Sequence, residues 1–147
     1  EPSVRIERAV AQEVWFYLRK ELAVMEISPE EAVLCWVPRG RRARVDYGFD
    51  QSERMMTALS TISGIPAVRA LARKFGGKEQ KSLNRRQRFR NTKGLFVIRK
   101  PEQIAGKVVV LFDDIVTTGA SMAACVPLLQ SAGARAVFQL CLARDKK

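Results

Sequence analysis

The 147-residue sequence contains no histidine and only three cysteines. The absence of histidine excludes a Ser-His or Cys-His catalytic pair within this chain, and equally a histidine-liganded zinc site. The cysteines, Cys35, Cys125 and Cys141, lie in apolar stretches and lack the C-x-x-C spacing of metal or redox motifs. This pattern predicts three buried thiols rather than ligands or disulfides.

Long hydrophobic runs are also missing. No apolar stretch approaches the roughly 20 residues of a membrane-spanning helix, and no secretory signal is present. We therefore expect a cytoplasmic protein without membrane contact. Because the chain begins with Glu1 rather than Met, we also expect it to be a piece of a longer protein. A hydrophobic fraction of 47% with 28% charged residues is typical of a globular domain, and the length fits one such domain.

Acidic residues are scarce in the middle of the chain, where basic residues are concentrated. Residues 39–100 hold 17 of the 26 Lys and Arg residues but only 4 of the 15 Asp and Glu residues. This region therefore holds the whole excess of basic over acidic residues that gives the chain its net charge of +11. Such segregated charge favours an anionic partner, either a polyphosphate substrate or a nucleic acid, over a merely solvated basic face.

Apolar spacing predicts a chain of alternating helices and strands. Residues 4–22 repeat apolar side chains at every fourth position and predict an amphipathic helix. A second helix is expected between Asp50, as its N-cap, and Gly64, as its terminator. A third should follow the loop after Asp114 and end near Ser131, with Pro127 inside it. Strands are expected at 32–37, 67–71, 94–98, 108–112 and 136–142, of which the first and the last two read as buried.

The most informative stretch runs from Val108 to Ser121. Five apolar residues predict a buried strand, and Asp113 and Asp114 then stand at its carboxyl end, where open α/β sheets bind ligands. A small, hydroxyl-rich loop containing Gly119 follows and leads into a helix. Such a loop favours a phosphate, whereas the carboxylates would repel one and suit sugar hydroxyls or a metal-bound sugar. The two halves together predict a site for a ribose 5-phosphate.

Phe112-Asp113-Asp114-Ile115-Val116-Thr117-Thr118-Gly119-Ala120-Ser121 resembles the phosphoribosyl pyrophosphate (PRPP) signature of type I phosphoribosyltransferases. Two more segments resemble the ComF/GntX family of competence-related, phosphoribosyltransferase-like proteins. The first, residues 47–51, is similar to its R-G-F-N-Q element, with Tyr47 in place of Arg and Asp50 in place of Asn. The second fits the pattern Q-x-x-L…R-x-x-N…G-x-F through Gln80, Leu83, Arg86, Arg88, Asn91, Gly94 and Phe96.

The resemblance implies a doubly wound α/β fold with a mainly parallel sheet of the type I phosphoribosyltransferase kind and a basic hood. A single domain is expected over residues 1–147. It would comprise an N-terminal helical segment (1–31), a basic loop and hood region (39–100) and a PRPP-binding strand-loop-helix (107–133).

The same resemblance implies Mg²⁺-bound PRPP as the ligand. Asp113 and Asp114 would be the catalytic acids, holding the ribose hydroxyls and, through PRPP, the Mg²⁺ ion. Arg39 and Gly40, in the loop after the first core strand, would bind the pyrophosphate together with Arg86 of the hood. The 5-phosphate would lie on the loop formed by Thr117, Thr118, Gly119, Ala120 and Ser121.

An active member would transfer the phosphoribosyl group to an unidentified acceptor and release pyrophosphate, a glycosyltransferase reaction of nucleotide metabolism. Thr117 stands where purine-salvage members carry a carboxylate that handles the proton of the base. Since threonine is no general base at neutral pH, purine salvage through this residue is disfavoured.

Two alternatives remain open. A non-catalytic protein could sense PRPP or bind single-stranded nucleic acid through residues 39–100 during DNA uptake or repair. The few aromatic residues of that region count against a base-stacking platform, although phosphate contacts need only cations. A plain interaction module is the third interpretation. A homodimer is compatible with all three.

Overall fold

The computed structural model describes residues 2–40, 50–74, 94–116 and 118–144. They form the helices α1 (Pro2–Val24), α2 (Gln51–Ser63) and α3 (Ala120–Ser131). The strands are β1 (Ala32–Trp36), β2 (Leu71–Arg73), β3 (Phe96–Ile98), β4 (Val108–Val116) and β5 (Ala136–Arg144). Most of the predicted hood with Arg86, the segment 41–49 and Thr117 lie outside the described residues.

β4 is the central strand of a parallel sheet with the order β1-β4-β5. Its first residue, Val108, lies opposite Ala32 of β1 on one side and Ala136 of β5 on the other. The chain after α2 adds a parallel bridge between Leu34 and Ala67 on the far side of β1. β2 and β3 form a separate antiparallel pair, with Arg73 opposite Phe96.

Helices cover both faces of this sheet. Side chains alternate between the faces of a strand, so Val33 and Cys35 of β1 pack in the cluster that contains α3, whereas Leu34 and Trp36 pack with α1 and α2. Every residue of β1 and the first five of β4 are buried, because neither face of these strands meets water. This arrangement confirms the expected doubly wound α/β fold.

α2 begins and ends as its sequence predicts. The carboxylate of Asp50 accepts hydrogen bonds from the backbone N–H groups of Ser52 (2.9 Å) and Glu53 (3.2 Å). Gly64 ends the helix with a φ of 78°, a conformation that glycine adopts without strain. Asp50 is thus the N-cap, and its side chain is almost fully buried.

The last strands differ from the prediction in length and burial. The sequence predicts the end of β4 at residue 112, but the strand continues to Val116 because β5 also extends and pairs with Asp113, Ile115 and Val116. β5 lies at the edge of the sheet among the described strands. None of its residues is fully buried and its second half is exposed, so the prediction of a buried last strand is wrong. The prediction that Cys141 is buried is therefore wrong, whereas Cys35 and Cys125 are buried as predicted.

The strand expected at 67–71 is also absent as a continuous element. The chain forms the single bridge at Ala67, and β2 begins only at Leu71. Here the backbone leaves β1 after one bridge and turns to pair with β3 instead. The backbone N–H of Arg99 donates a hydrogen bond to the carbonyl of Ala70 at 2.6 Å. Among the described residues, no helix has both the length and the apolar character that a membrane crossing requires.

Candidate functional site

The two aspartates of the signature stretch lie on β4 just beyond the point where β1 ends. The last register pair between β1 and β4 joins Trp36 to Phe112, and the next residue, Asp113, pairs with Cys141 of β5 and with no described residue of β1. Both aspartates are partly buried. Because β1 no longer flanks them, their side chains stand at an open corner of the sheet, at the carboxyl end of β1. This is the position at which open α/β sheets bind ligands.

The loop that follows β1 reaches this corner. The guanidinium of Arg39 forms an ion pair with the carboxylate of Asp114. The other carboxylate oxygen of Asp114 accepts a hydrogen bond from the backbone N–H of Ile115 at 2.8 Å. The Arg39 and Asp114 side chains are only 23% and 14% exposed, so water screens this pair less than an ordinary surface pair. Arg39, which the resemblance implies as a pyrophosphate ligand, therefore faces a carboxylate in this structure.

Asp113 has an unusual proton affinity. Burial raises the pKa of its carboxyl to about 6, the positive charge of Arg39 lowers it, and the negative charge of Asp50 raises it. The N-cap of α2 thus lies close enough to Asp113 to act on it electrostatically. A carboxyl that exchanges its proton so close to neutral pH is typical of a functional site, although structural charge networks produce the same effect.

The predicted phosphate loop connects β4 to α3. Gly119 has a φ of 79°, a left-handed conformation that favours glycine, and it occupies the N-cap of α3. The hydroxyl of Thr118 accepts a hydrogen bond from the backbone N–H of Ala120 at 3.2 Å. Within the described part of the chain, no heavy atom outside residues 118–120 lies within 4 Å of the place where a Cβ of residue 119 would stand. Among the described residues there is thus open space beside Gly119 at the start of α3, with Ser121 in the first turn of the helix.

A further cation stands beside the loop after β1. If Gly40 carried a Cβ atom, that atom would lie 3.3 Å from Nη1 and 3.7 Å from Cζ of Arg73, the last residue of β2. The same guanidinium lies over the ring of Phe96, 5.6 Å from its centroid. Burial lowers the pKa of Arg73. Sequence reasoning missed this residue, because no local motif distinguishes Arg73 from its basic neighbours. What distinguishes it is the pairing of β2 with β3, which places it opposite Phe96.

The two buried cysteines, Cys35 and Cys125, lie close to the charged groups of the candidate site and have raised pKa values. Burial raises the pKa of the Cys125 thiol on α3, the charges of Cys35 and Asp113 raise it further, and Arg73 lowers it. Burial also raises the pKa of Cys35 to about 11. Both thiols therefore stay protonated and unreactive at neutral pH. Asp113 and Arg73 therefore both lie near enough to Cys125 to act on it electrostatically.

The acidic pair has the donor chemistry that a magnesium ion prefers. Mg²⁺ in proteins is commonly held by one or two carboxylates together with waters and the phosphates of a substrate. In the regions that the structure describes, no group of three or more acidic or cysteine side chains could hold a metal ion by itself. Asp113 and Asp114 thus fit an ion that arrives with a phosphorylated ligand. The remaining predicted ligands, Thr117 and Arg86, lie outside the described residues.

Known structures share this fold. A hypoxanthine phosphoribosyltransferase from Staphylococcus aureus is 17% identical and superposes with a TM-score of 0.55 over 97% of this chain and 65% of that one. The hypoxanthine phosphoribosyltransferase of Trypanosoma cruzi is 12% identical, with a TM-score of 0.57 over 98% and 76%. The allosteric regulatory enzyme of purine biosynthesis is 21% identical, with a TM-score of 0.53 over 76% and 22%. At these identities the likeness shows the fold alone.

Sequence comparison identifies the family. The DNA utilization protein YhgH of Escherichia coli K12 is 36% identical over 109 residues, which are 74% of this chain and 47% of that protein. The YhgH protein of Salmonella typhimurium LT2 is 36% identical over 115 residues with the same coverage. The chain thus spans about half the length of these relatives. The family model for the phosphoribosyl transferase domain matches residues 61–147, from the end of α2 through β5. The chain therefore belongs to the phosphoribosyl transferase domain family, and its likeness to the DNA utilization proteins confirms the resemblance to the ComF/GntX branch.

Proposed function

We propose that this domain binds Mg²⁺-PRPP and transfers its phosphoribosyl group to an acceptor with release of pyrophosphate. The observation that carries the proposal is the junction of β4 with α3. Two partly buried carboxylates, Asp113 and Asp114, lie at the open corner of the sheet. A few residues later the loop turns at Gly119, and α3 begins. Carboxylates accept hydrogen bonds from sugar hydroxyls, and a helix start favours a phosphate. A ribose 5-phosphate presents both groups.

Asp113 and Asp114 would accept hydrogen bonds from the ribose hydroxyls and would be the protein ligands of a bound Mg²⁺. Bound there, the ion would supply positive charge that stabilises the departing pyrophosphate. The hydroxyls of Thr118 and Ser121, on either side of the turn at Gly119, would donate hydrogen bonds to the 5-phosphate. The backbone N–H of Ala120, which donates to the Thr118 hydroxyl in this structure, would donate to a phosphate oxygen instead when the ligand binds.

Arg39 would change partners when the ligand binds. Without ligand it neutralises Asp114. A pyrophosphate group carries more negative charge than a carboxylate, so the ligand would draw the guanidinium from Asp114 and free that carboxylate for the sugar. When the bond between the anomeric carbon and pyrophosphate breaks, positive charge develops at the sugar and negative charge on the leaving group. Asp113 would stabilise the former and Arg39 the latter.

A pyrophosphate-release assay tests the transfer itself. The parent protein is incubated with Mg²⁺-PRPP and a panel of nucleobases, amines and single-stranded DNA, beside the Asp113→Asn/Asp114→Asn double variant. Glu102→Gln, which removes a carboxylate from the exposed turn before β4, serves as the control. We expect release with at least one acceptor in the parent and in the control, and loss of about a hundredfold or more in the double variant. Failure of every acceptor to raise release above the decay of free PRPP would favour a protein that binds PRPP without turning it over.

The comparisons favour a second candidate function. Relatives of this chain are named DNA utilization proteins, and residues 39–100 carry most of the positive charge. We infer that this basic region binds single-stranded nucleic acid in DNA uptake or repair, in addition to PRPP or instead of it. A cytoplasmic location belongs to both proposals, and the homodimer stays a prediction.

Fluorescence anisotropy with a labelled single strand tests the second candidate. Affinity should fall steeply with salt, because each neutralised phosphate releases counterions. The triple variant Arg85→Ala/Arg86→Ala/Arg88→Ala should bind more weakly and reduce the slope of log K against log salt by up to about 2. Binding that is absent at low salt, or a slope that the triple variant leaves unchanged, would contradict this candidate.

A further inference from the structure

One exposed side of α1 carries a row of cations around an aromatic ring. The helix packs against α2 and the sheet through another side, where Ala11, Leu18 and Leu22 are buried. On the exposed side, polar and aromatic side chains recur at intervals of three or four residues, which places them on one face of a helix. This basic face of α1 consists of Arg5, Arg8, Gln12, Phe16 and Arg19, together with Lys20 beside Phe16.

The charge of the basic face is not neutralised within the described part of the chain. The three acidic residues of α1, Glu7, Glu13 and Glu21, fall outside the row, and Glu7 is paired with Arg54 at 3.0 Å. None of the ion pairs between described residues involves a cation of the basic face. Four positive charges thus stand together without acidic residues among them. Such segregation favours a partner with many negative charges.

Phe16 gives the basic face a second property. Its ring is 50% exposed, although aromatic rings are usually buried. The guanidinium carbon of Arg19 lies 4.9 Å and Nζ of Lys20 lies 3.9 Å from the ring centroid. A phosphate that drew these two cations away would uncover the ring for a base. Cations that follow a backbone and an aromatic ring that stacks on a base are the two components of single-strand binding sites.

The composition of the remaining basic residues adds to this argument. Residues 39–100 supply many cations but few aromatic side chains, so that region alone is poorly suited to stack bases. α1 supplies an exposed ring within a row of cations. From Arg5 to Lys20 this row extends about 22 Å along the helix axis, at 1.5 Å per residue. An extended polyanion could therefore contact several of its cations at once.

A membrane surface fits this helix less well than a polynucleotide. A helix that lies on a membrane inserts its apolar face into the lipid, but the apolar face of α1 is already packed on α2 and the sheet. The other exposed apolar residues, Ile6, Tyr17 and Val24, lie on a different side of the helix from the cations. Glu13 shares that side, and its carboxylate would be repelled by anionic lipid.

We propose that the basic face of α1 binds single-stranded nucleic acid, with its cations on the phosphates and Phe16 stacked on a base. The inference rests on the second candidate function and deepens it, because it assigns the contact to a surface outside residues 39–100. It is independent of the PRPP site at the junction of β4 and α3.

Fluorescence anisotropy over a range of salt concentrations tests the cations. A labelled strand of about twelve deoxythymidines is titrated into the parent and into Arg19→Ala/Lys20→Ala. The control is Lys107→Ala/Arg135→Ala, which removes the same charge just before β4 and β5. We expect the α1 double variant to bind about tenfold more weakly. Its slope of log K against log salt should fall by up to about 1.4, because each phosphate contact contributes about 0.7. The control should match the parent.

Phe16→Leu tests the stacking separately. Leucine keeps an apolar side chain and a high helix propensity but has no aromatic face. We expect this variant to bind the intact strand about fivefold or more weakly, to bind an abasic strand of the same length within about twofold of the parent, and to keep the salt slope. Equal losses on the intact and the abasic strand would contradict a stacked base.

The outcomes separate this inference from the function on which it rests. If the Arg85→Ala/Arg86→Ala/Arg88→Ala variant loses the strand while both α1 variants keep it, the inference is overturned and the second candidate function stands. If only the α1 variants lose it, the inference stands and the assignment to residues 39–100 fails. A parent that binds no single strand at low salt overturns both.

Two further measurements complete the test. If Arg19→Ala/Lys20→Ala loses binding to phosphatidylserine vesicles but keeps the single strand, the basic face is a membrane contact and the inference is overturned. Thermal melts establish that each variant is folded, so that a loss of affinity reports on the surface itself.

Discussion

Arg39, in the loop after β1, forms an ion pair with Asp114 on β4. The pair joins the loop expected to bind pyrophosphate to an acid expected to bind ribose, so that each neutralises the other when no ligand is present. When the ligand binds, one of its phosphates must then replace the Asp114 carboxylate as the partner of Arg39. The pair also sets the electrostatic potential at the neighbouring Asp113.

Removing Arg39 should change both the ligand affinity and the proton affinity of the site. In Arg39→Ala, PRPP should bind about tenfold more weakly, because a charged hydrogen bond to the ligand is lost. The pKa of Asp113 should also rise further above 6, because the positive charge of Arg39 lowers it in the parent. NMR titration of the Asp113 carboxyl carbon measures the second effect, with Arg99→Ala as the control. A pKa of Asp113 that does not move in Arg39→Ala would contradict the placement of this charge.

The pKa of Asp113 predicts a specific dependence of stability on pH. The folded state raises this pKa from the ordinary 3.8 to about 6, so it binds the proton more tightly than the unfolded chain. The corresponding stability is fully present below about pH 4 and is lost as the pH rises through 6. The charged groups that act on Asp113 are Arg39 and Asp50, and it also faces the Cys125 thiol, whose pKa burial raises.

Asp113→Asn removes the titrating group and so tests this dependence. Its melting temperature relative to that of the parent should increase from pH 4 to pH 6 and then stay level. A difference between the two proteins that is constant from pH 4 to 7.5 would show that Asp113 titrates normally.

Asp50 should contribute to stability as a helix cap. Its carboxylate accepts two backbone hydrogen bonds and is 8% exposed, so Asp50→Ala should lower the free energy of unfolding by about 1–2 kcal/mol. Asp50→Ser keeps a capping oxygen and should recover most of that loss. It also removes a negative charge that raises the pKa of Asp113, so that pKa should fall. Urea denaturation of the three proteins measures the first effect, and equal destabilisation by Ala and Ser would exclude a capping role.

The features that sequence reasoning predicted well have local causes. The apolar run before Asp113, the N-cap at Asp50 and the terminator at Gly64 each act within a few residues, and the fold they imply is the one observed. The acidic pair and the loop at Gly119 are likewise adjacent in the chain. A short pattern therefore suffices to locate them.

The features that it missed depend on pairing between distant strands. Cys141 is exposed because β5 is the outermost described strand of its sheet, and nothing in its apolar neighbours indicates an edge. Arg73 reaches Gly40 only because β2 pairs with β3 rather than continuing alongside β1. The ion pair of Arg39 with Asp114 likewise requires the parallel register of β1 and β4.

The most direct test of the account is a thermal melt with and without Mg²⁺-PRPP, for the parent, Asp113→Asn/Asp114→Asn and Glu102→Gln. Ligand at a hundred times its dissociation constant stabilises a folded domain by about 2.7 kcal/mol, which for a chain of this length raises the melting temperature by about 5–10 °C. The account predicts this shift in the parent and in Glu102→Gln and its loss in the double variant. A folded parent that shows no shift at millimolar PRPP, or a double variant that keeps the shift, would contradict the assignment of a PRPP site to the junction of β4 and α3.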